Sequence, residues 1–405
     1  MDEPFNAFVF GDSHIGNHLP HSVAGPDGVT DRLVDQLDAL EWCFGQAEQR
    51  DLPLVCLGDL FDDHLVDTIT LDMLAETLSH GLPSKGFYVV PGNHDAHDQT
   101  NRHFSPQAIS RLTGGDGIRI LNDFGPREVE PFSGRDLVRA MPFCTPEVAR
   151  KFFADHARAD RLLLGHMEVD GFGHGGAWLC SIGLGEEELT PWGATLSGHF
   201  HALQDFRHTN GGYIGALCQL KFDDANKKQG GWVIRWDGDQ LEREFVEYEG
   251  AAAFDSRDFQ ATDLVGLVEE ANLAEVGLIS PSTFTKLIVS GTDEELVKVP
   301  WDRVREALKA GGARRVVFDH KPVAGVEKHR LEVEVGAPME DLFDAYIEHP
   351  AVKVKFPAID AAGLATLGPE GFKGKLLGLG LRFLRQAQEK RKQLPSRSAD
   401  EGGER

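Results

Sequence analysis

The chain has 405 residues, of which 41% are hydrophobic, so it is long enough for a large core and one or two smaller units. Its net charge of −24 argues against a broadly basic surface for nucleic acid, so any attraction for phosphate would have to be local, for example through bound cations. No apolar run approaches the roughly 18 residues of a membrane span and no signal segment opens the chain, so we expect a soluble, cytoplasmic protein. The five cysteines form no Cys-x-x-Cys pair, so we expect reduced thiols and no zinc knuckle.

Short polar phrases follow apolar runs at five places in the first half of the chain. Runs of this length that end in polar residues predict buried strands leading into loops. The runs cover 8–10, 54–57, 87–90, 162–164 and 194–196, and the phrases are Asp12-Ser13-His14, Gly58-Asp59, Gly92-Asn93-His94-Asp95, Gly165-His166 and Gly198-His199-Phe200-His201. Because strand ends lie side by side at one edge of a sheet, we expect these side chains to converge there.

Two amphipathic helices are predicted between the first three strands. The first covers 31–50, where apolar residues recur at spacings of four, three and four after Asp31, which we expect to be the cap. The second covers 68–78. The simplest role for both apolar faces is to pack on the sheet.

The second half of the chain predicts separate smaller units. Residues 249–282 show no dominant strand pattern and predict a connector with one helix over 263–274. Residues 283–336 predict a small strand-helix-strand-strand unit. Residues 337–394 predict helices that include the most basic stretch of the chain, and 395–405 lack the apolar residues needed for order.

The ligand chemistry of the five phrases points to metal ions. Taken singly, each Asp or His could cap a helix or lie in an ordinary loop. Together they offer Asp, His and Asn donors without Cys, a set that suits manganese or iron more than structural zinc. Two such ions bridged by a carboxylate lower the pKa of a water molecule and stabilise displacement at phosphorus. The combination predicts a two-metal hydrolase.

In this order the phrases resemble the calcineurin-like metallophosphoesterase superfamily and, within it, the bacterial and phage branch of the SbcD nucleases. The resemblance to the SbcD nucleases rests on the motif Gly-Asp-Leu-Phe-Asp over 58–62 and on the segments 213–215, 222–224 and 230–234. The implied fold is α/β: a four-layer α-β-β-α sandwich over 1–248, followed after the connector by a small α/β cap and C-terminal helices.

The resemblance also implies roles for individual residues. The first metal position would take Asp12, His14, Asp59 and His201, and the second would take Asp59, Asn93, His166 and His199. His94 would face the scissile phosphate, oriented by Asp95 or another carboxylate. The cofactors implied are two divalent ions, with Mn²⁺ preferred over Fe²⁺ or Mg²⁺. Asp62 stands where other relatives have a second histidine, and whether the nearby His64 substitutes for it is left open.

The activity implied is that of a DNA nuclease, acting as an exonuclease on duplex ends, an endonuclease on single strands, or both, in recombination and repair. Its partners would be DNA, a second copy paired through the helices near 31–78, and an SbcC-type coiled-coil ATPase. The C-terminal helices would bind the ATPase through the apolar residues along one side of each helix. The residues expected in that contact are Leu342, Phe343, Tyr346, Leu377, Leu381 and Leu384.

Two other functions stay open at this point. One is hydrolysis of a small phosphoester or a cyclic nucleotide, and the other is a scaffold with a silent phosphoesterase fold. A solvated, frayed end is likewise the alternative for the basic C-terminal helix.

Overall fold

The structure is a computed structural model, and it describes residues 3–97, 103–112, 117–124, 135–173, 179–225, 227–250, 252–269 and 283–322. Several predictions made from the sequence lie outside these residues. They are the last strand of the small unit near 331–335, the C-terminal helices with their six expected partner contacts, and the tail over 395–405.

The described residues alternate between strands and helices through most of their length. The strands are β1 (Phe5–Phe10), β2 (Leu54–Cys56), β3 (Phe87–Val89), β4 (Ile118–Ile120), β5 (Val138–Met141), β6 (Leu162–His166), β7 (Ala194–Gly198), β8 (Gln204–Asp205), β9 (Gly211–Tyr213), β10 (Gly230–Trp236), β11 (Leu241–Glu247), β12 (Phe254–Gln260), β13 (Phe284–Gly291) and β14 (Arg315–Pro322). The helices are α1 (Asp31–Gln49), α2 (Thr68–Ser79), α3 (Ser105–Leu112), α4 (Pro146–His156), α5 (Ala261–Glu269), α6 (Asp293–Lys298) and α7 (Trp301–Ala310). Among the described helices, none has both the length and the apolar composition needed to cross a membrane.

Two sheets form the first part of the fold. The first has the order β11-β10-β1-β2-β3-β4, in which β1 to β4 run parallel and β10 pairs antiparallel with β1. The second has the order β5-β6-β7-β9-β8. Parallel neighbours place their carboxyl ends at a common edge, which is where the polar phrases begin.

Side-chain alternation along the strands shows how the layers stack. On β1, Val9 lies in a core shared with β6 and β7, whereas Phe8 packs with residues of α1. On β6, Leu164 lies in the shared core, whereas Leu163 packs with Phe152 of α4. The two sheets are therefore packed face to face with a helix layer outside each one, which confirms the predicted α-β-β-α sandwich.

The caps of the first two helices differ in one detail from the sequence prediction. The side chain of Thr30, rather than Asp31, caps α1 by accepting from the backbone N–H of Leu33. Asp31 lies in the first turn, where its charge still suits the helix dipole. Asp67 caps α2 through the backbone N–H groups of Ile69 and Thr70. Such caps are typically worth about 1 kcal/mol each.

A third, parallel sheet with the order β12-β13-β14 follows the sandwich, and we call residues 254–322 the accessory unit. The sequence predicts a connector over 249–282, but β12 lies inside this range and pairs with β13 over seven residues. The pattern was hidden because β12 is an edge strand and its sequence, FDSRDFQ, is mostly polar. The helix that follows is α5, which begins two residues before the expected 263.

Candidate metal centre

The loops after the strands bring residues from both sheets to one place. Asp12 follows β1 of the first sheet, and His199 follows β7 of the second. The backbone N–H of His199 donates to both carboxylate oxygens of Asp12, at 2.9 and 3.1 Å. Nδ1 of His166, at the end of β6, lies 2.8 Å from the carbonyl oxygen of Leu57 after β2. The polar phrases therefore meet where the carboxyl ends of the two sheets face each other.

A first group of candidate ligands consists of Asp12, His14 and His201. One donor atom from each lies within 4.8 Å of the others, and all three residues are buried. Nε2 of His14 also lies 3.7 Å from Oδ2 of Asp59. The four residues expected at the first metal position are thus assembled.

A second group is formed by Asp59, His166 and His199, whose donor atoms again lie within 4.8 Å of one another. Nε2 of His166 is 3.2 Å from Oδ2 of Asp59 and 3.0 Å from Oδ1 of Asn93. Nδ1 of His199 is also 3.0 Å from Oδ1 of Asn93. The four residues expected at the second position are assembled too, and Asp59 borders both groups.

The donor set fits divalent cations. Nε2 of His14 is buried and makes no hydrogen bond with any described residue, which is unusual for a buried polar atom and expected of a nitrogen that ligates a metal. Donors bound at about 2.1 Å to one ion lie about 3.0–3.4 Å apart, close to the separations seen in the second group. The donors are nitrogen and oxygen only, which suits manganese, iron or magnesium.

Each candidate histidine ligand is oriented through its other ring nitrogen. Carboxylate and carbonyl oxygens accept hydrogen bonds but cannot donate them, so the nitrogen beside such an oxygen must carry the proton. This leaves the opposite nitrogen for a metal, as in most metal-binding histidines. The pairs are His14 Nδ1 with Asp62 at 3.2 Å, His166 Nδ1 with the Leu57 carbonyl at 2.8 Å, His199 Nε2 with Glu168 at 3.3 Å and His201 Nδ1 with Asp224 at 3.3 Å.

Sequence reasoning missed Glu168 and Asp224 as functional residues. Glu168 lies two residues after His166, and Asp224 lies in the acidic segment 222–224, so both were adjacent to signals already noted. Nothing in their spacing indicates that they contact His199 and His201, because that depends on how the loops fold. The same holds for Asp62, whose Oδ1 lies 3.2 Å from Nδ1 of His14.

Burial and mutual proximity shift the pKa values of these groups. Burial raises the pKa of Asp12 to about 7. Burial also opposes ionisation of Asp59, but the neighbouring His166 and His14 outweigh it and hold the pKa of Asp59 well below its usual range. Burial lowers the pKa of His201 to about 4, whereas at His166 the charge of Asp59 overcomes burial and raises the pKa to about 9. Carboxylates and imidazoles crowded in this way are suited to exchange protons for a cation.

The backbone of the cluster is held in an uncommon conformation. Asp12, His14, Asp59 and His199 have φ angles of 50°, 47°, 50° and 101°, in the left-handed region that few non-glycine residues adopt. Such residues typically cost about 1–3 kcal/mol each and persist where surrounding contacts fix them. One such contact comes from α1, where the side chain of Gln36 donates to the Ser13 carbonyl at 2.8 Å. Backbone strain of this kind is concentrated at functional sites.

Glycine allows a close approach to Asp59 within the cluster. A Cβ on Gly92 would lie 2.1 Å from Oδ1 of Asp59 and 2.4 Å from its backbone nitrogen. A Cβ on Gly58, which has φ of 95°, would lie 2.1 Å from Nδ1 of His166. Gly58 and Gly92 are therefore required by packing around the donors.

His94 lies at the exposed rim of the cluster, while Asp95 is buried beneath it. The ring of His94 is 4.6 Å from that of His14, and its Nδ1 lies 2.6 Å from the Asp62 carbonyl oxygen. The expected orientation of His94 by Asp95 is not what the structure has. The Asp95 carboxylate instead accepts from backbone N–H groups, those of Leu60, Phe61 and Gly92, at 3.3, 3.0 and 2.9 Å. Through these bonds Asp95 holds the loop after β2 against the loop after β3. The same bonds compensate for the burial of its charge.

The comparison with protein families agrees with this geometry. Residues 5–203 match the family model of calcineurin-like phosphoesterases. No curated protein matches the chain. The match covers all seven candidate ligands and His94. Residues 5–203 are thus similar to calcineurin-like phosphoesterases, which supports metal-dependent phosphoester hydrolysis, and they carry a His/Asp cluster suited to divalent metal ions.

Proposed function

We propose that this protein is a metal-dependent DNA nuclease and the nuclease subunit of an SbcC/SbcD-type recombination and repair complex. The observation that carries the hydrolytic part is the position of Asp59, which belongs to the second donor group, lies 3.7 Å from His14 of the first and is beside the exposed His94. A carboxylate shared by two ions is the arrangement that two-metal hydrolysis of phosphodiesters requires.

Each group of residues has a role in this proposal. Asp12, His14, Asp59 and His201 would hold one ion, and Asp59, Asn93, His166 and His199 would hold the other. When bound, the ions supply positive charge that stabilises phosphoryl oxygens and lowers the pKa of a water molecule.

His94 would act on the leaving group. The Asp62 carbonyl can only accept, so Nδ1 of His94 keeps its proton and Nε2 is the nitrogen available to the substrate. A proton held at Nε2 would pass to the leaving oxygen, and before transfer its charge would stabilise the phosphate. The exposure of His94 allows contact with a large substrate.

Local positive charge beside the cluster supports a polyanionic substrate, although the chain as a whole is acidic. The Nζ of Lys286, a residue of the accessory unit, lies 5.8 Å from the centre of the Phe222 ring, two residues before Asp224. Lys286 also pairs with Asp319 at 3.4 Å. The accessory unit thus brings a cationic side chain to the turn that carries Asp224, next to His201.

The test is a comparison of substrates with the purified full chain and Mn²⁺. Linear duplex DNA, single-stranded DNA and bis(4-nitrophenyl) phosphate would be incubated with the wild-type protein and with the Asp59→Ala variant. We expect metal-dependent degradation of DNA by the wild type alone. Hydrolysis of only the aryl ester would favour a small-molecule phosphoesterase. The absence of bound metal by elemental analysis would favour a scaffold and overturn the proposal.

The proposed ATPase partner has its own test. A long coiled-coil ATPase should co-purify with the full chain, and a Leu377→Glu, Leu381→Glu, Leu384→Glu variant should lose it. Hydrolysis of bis(4-nitrophenyl) phosphate should be unchanged in that variant, because the substitutions are distant in sequence from the phosphoesterase domain. Equal recovery of the ATPase with both proteins would reject this contact.

A further inference from the structure

We propose that Asp224 is a positioning residue for the first metal position, where it fixes the ring of His201 so that Nε2 can ligate the ion. The inference rests on the proposed metal site and adds a residue to it. Asp224 lies beyond the family-model match, which ends at residue 203.

The contact between the two residues determines the tautomer of the histidine. Oδ2 of Asp224 lies 3.3 Å from Nδ1 of His201, and Asp224 is completely buried. Because the carboxylate can only accept, Nδ1 must carry the proton. Nε2 is then the nitrogen that can join Asp12 and His14 in the first donor group.

The carboxylate of Asp224 is itself fixed by three further donors. Its Oδ2 accepts from the backbone N–H groups of Leu220 and Lys221, at 3.1 and 3.3 Å. Its Oδ1 lies 3.1 Å from the Nζ of Lys227. A side chain with this many partners has little freedom to rotate away from His201, so it can impose one orientation on the imidazole.

The turn that carries Asp224 is anchored on the accessory unit. The ring of Phe222 packs edge-on against that of Phe254 at 5.0 Å, and the backbone N–H of Phe254 donates to the side chain of Gln219 at 2.6 Å. The buried guanidinium of Arg32 donates to the carbonyls of Gln219 and Leu220, both at 3.0 Å. Asp224 therefore links the accessory unit to His201 through a short path of direct contacts.

Loss of the Asp224 carboxylate should lower metal affinity mainly at one of the two positions. His201 belongs to the first donor group only, whereas His166 and His199 belong to the second. Removing an acceptor that orients a metal-binding histidine typically lowers metal affinity about 10–100-fold. Asp224 has no solvent-exposed surface, so bulk water does not reach the position where its carboxylate accepts from His201.

The experiment measures metal binding rather than activity. Co²⁺ would be titrated into the full chain, freed of metal by chelation, and followed by calorimetry and by visible absorption. We expect two sites in the wild type, a loss of about 10–100-fold at one site in Asp224→Ala, which has no side-chain acceptor, and wild-type binding in Asp223→Ala, the exposed neighbour in the same turn. Wild-type affinity at both sites in Asp224→Ala would overturn the inference but leave the proposed function standing. No Co²⁺ binding by the wild type would instead reject the metal site itself.

Two further measurements test the inference without a substitution at Asp224. The His201→Gln variant should lose one of the two sites, because His201 is the ligand that Asp224 orients. In the wild-type protein with ¹⁵N-labelled histidine, the ring resonances of His201, assigned with His201→Gln, should show the Nδ1–H tautomer. A proton on Nε2 in the metal-free protein would contradict the inference.

Discussion

The backbone N–H of His199 binds the carboxylate of Asp12 across 187 residues of chain, at 2.9 and 3.1 Å from its two oxygens. The first residue follows a strand of one sheet and the second follows a strand of the other. The candidate metal centre is therefore built across the interface of two sheets, and its geometry depends on how they pack. Substitutions within this site, and others in the surrounding fold, lead to the following expectations.

Replacing Asp59 by alanine should abolish both metal binding and hydrolysis. Asp59 belongs to the second donor group and lies 3.7 Å from His14 of the first, so its loss should remove a ligand from each proposed position. We expect a fall in hydrolysis of bis(4-nitrophenyl) phosphate of about a thousandfold or more, together with loss of bound Mn²⁺ by elemental analysis. Asp63→Ala is the matched control, because Asp63 is exposed and pairs with His64 outside the cluster. Full activity of Asp59→Ala would reject the assignment.

Replacing His94 by alanine should leave metal binding intact and slow hydrolysis. His94 lies beside the cluster but is not one of the expected ligands, and loss of a general acid typically costs about 10²–10⁴-fold in rate. The effect should be larger on DNA, whose leaving alkoxide needs a proton, than on an aryl ester. His97→Ala, which removes another exposed histidine, should behave as wild type. Equal losses on both substrates would argue against proton donation.

Alanine at Gly92 should destabilise the protein, whereas alanine at Gly45 should stabilise it. The new methyl at 92 would lie 2.1 Å from Oδ1 of Asp59, an overlap that should cost about 1–3 kcal/mol of unfolding free energy. At 45, within α1, a Cβ has no neighbour within 4 Å, and exchange of a helical glycine should add about 0.5–1 kcal/mol. Urea unfolding in the presence of a chelator measures both. A neutral result at 92 would mean that the loops can move apart freely.

Replacing Arg314 by alanine should loosen the attachment of the accessory unit. Its guanidinium binds both carboxylate oxygens of Asp35 on α1, at 2.6 and 3.1 Å, and both side chains are largely shielded from solvent. Charge-assisted bonds of this kind contribute about 1.5–3 kcal/mol. Urea unfolding should show a loss of that size, against little change for Arg303→Ala on the exposed side of α7. Matching stabilities of the two variants would show that the pair is not a stabilising contact.

Much of the candidate site could be predicted because its residues follow a simple rule. A buried strand is a conspicuous apolar run, and a polar residue just after it lies at the sheet edge, as Asp12, Asp59 and Asn93 do. What could not be predicted is which oxygen orients each imidazole. The partner of His166 is the backbone carbonyl of Leu57. Every residue has a backbone carbonyl, so the residue type at 57 cannot indicate this contact.

One strand of the fold, β12, could not be predicted from the sequence either. β12 was not predicted because an edge strand packs on one neighbour only, so its exposed side can be polar. In contrast β1 and β6, buried on both faces, contain the apolar runs 7–10 and 162–164, from which strands can be identified.

The pairing of β10 with β1 sets a limit on how far the chain can be shortened. The family-model match ends at residue 203, yet Val233 and Trp232 pair with Phe8 and Val9 along the outer edge of β1. A protein cut at 203 would expose that edge, and an unpaired row of amides and carbonyls is a template for adding strands from other molecules. The smallest piece that folds without self-association thus extends past β10, well beyond the residues that carry the chemistry.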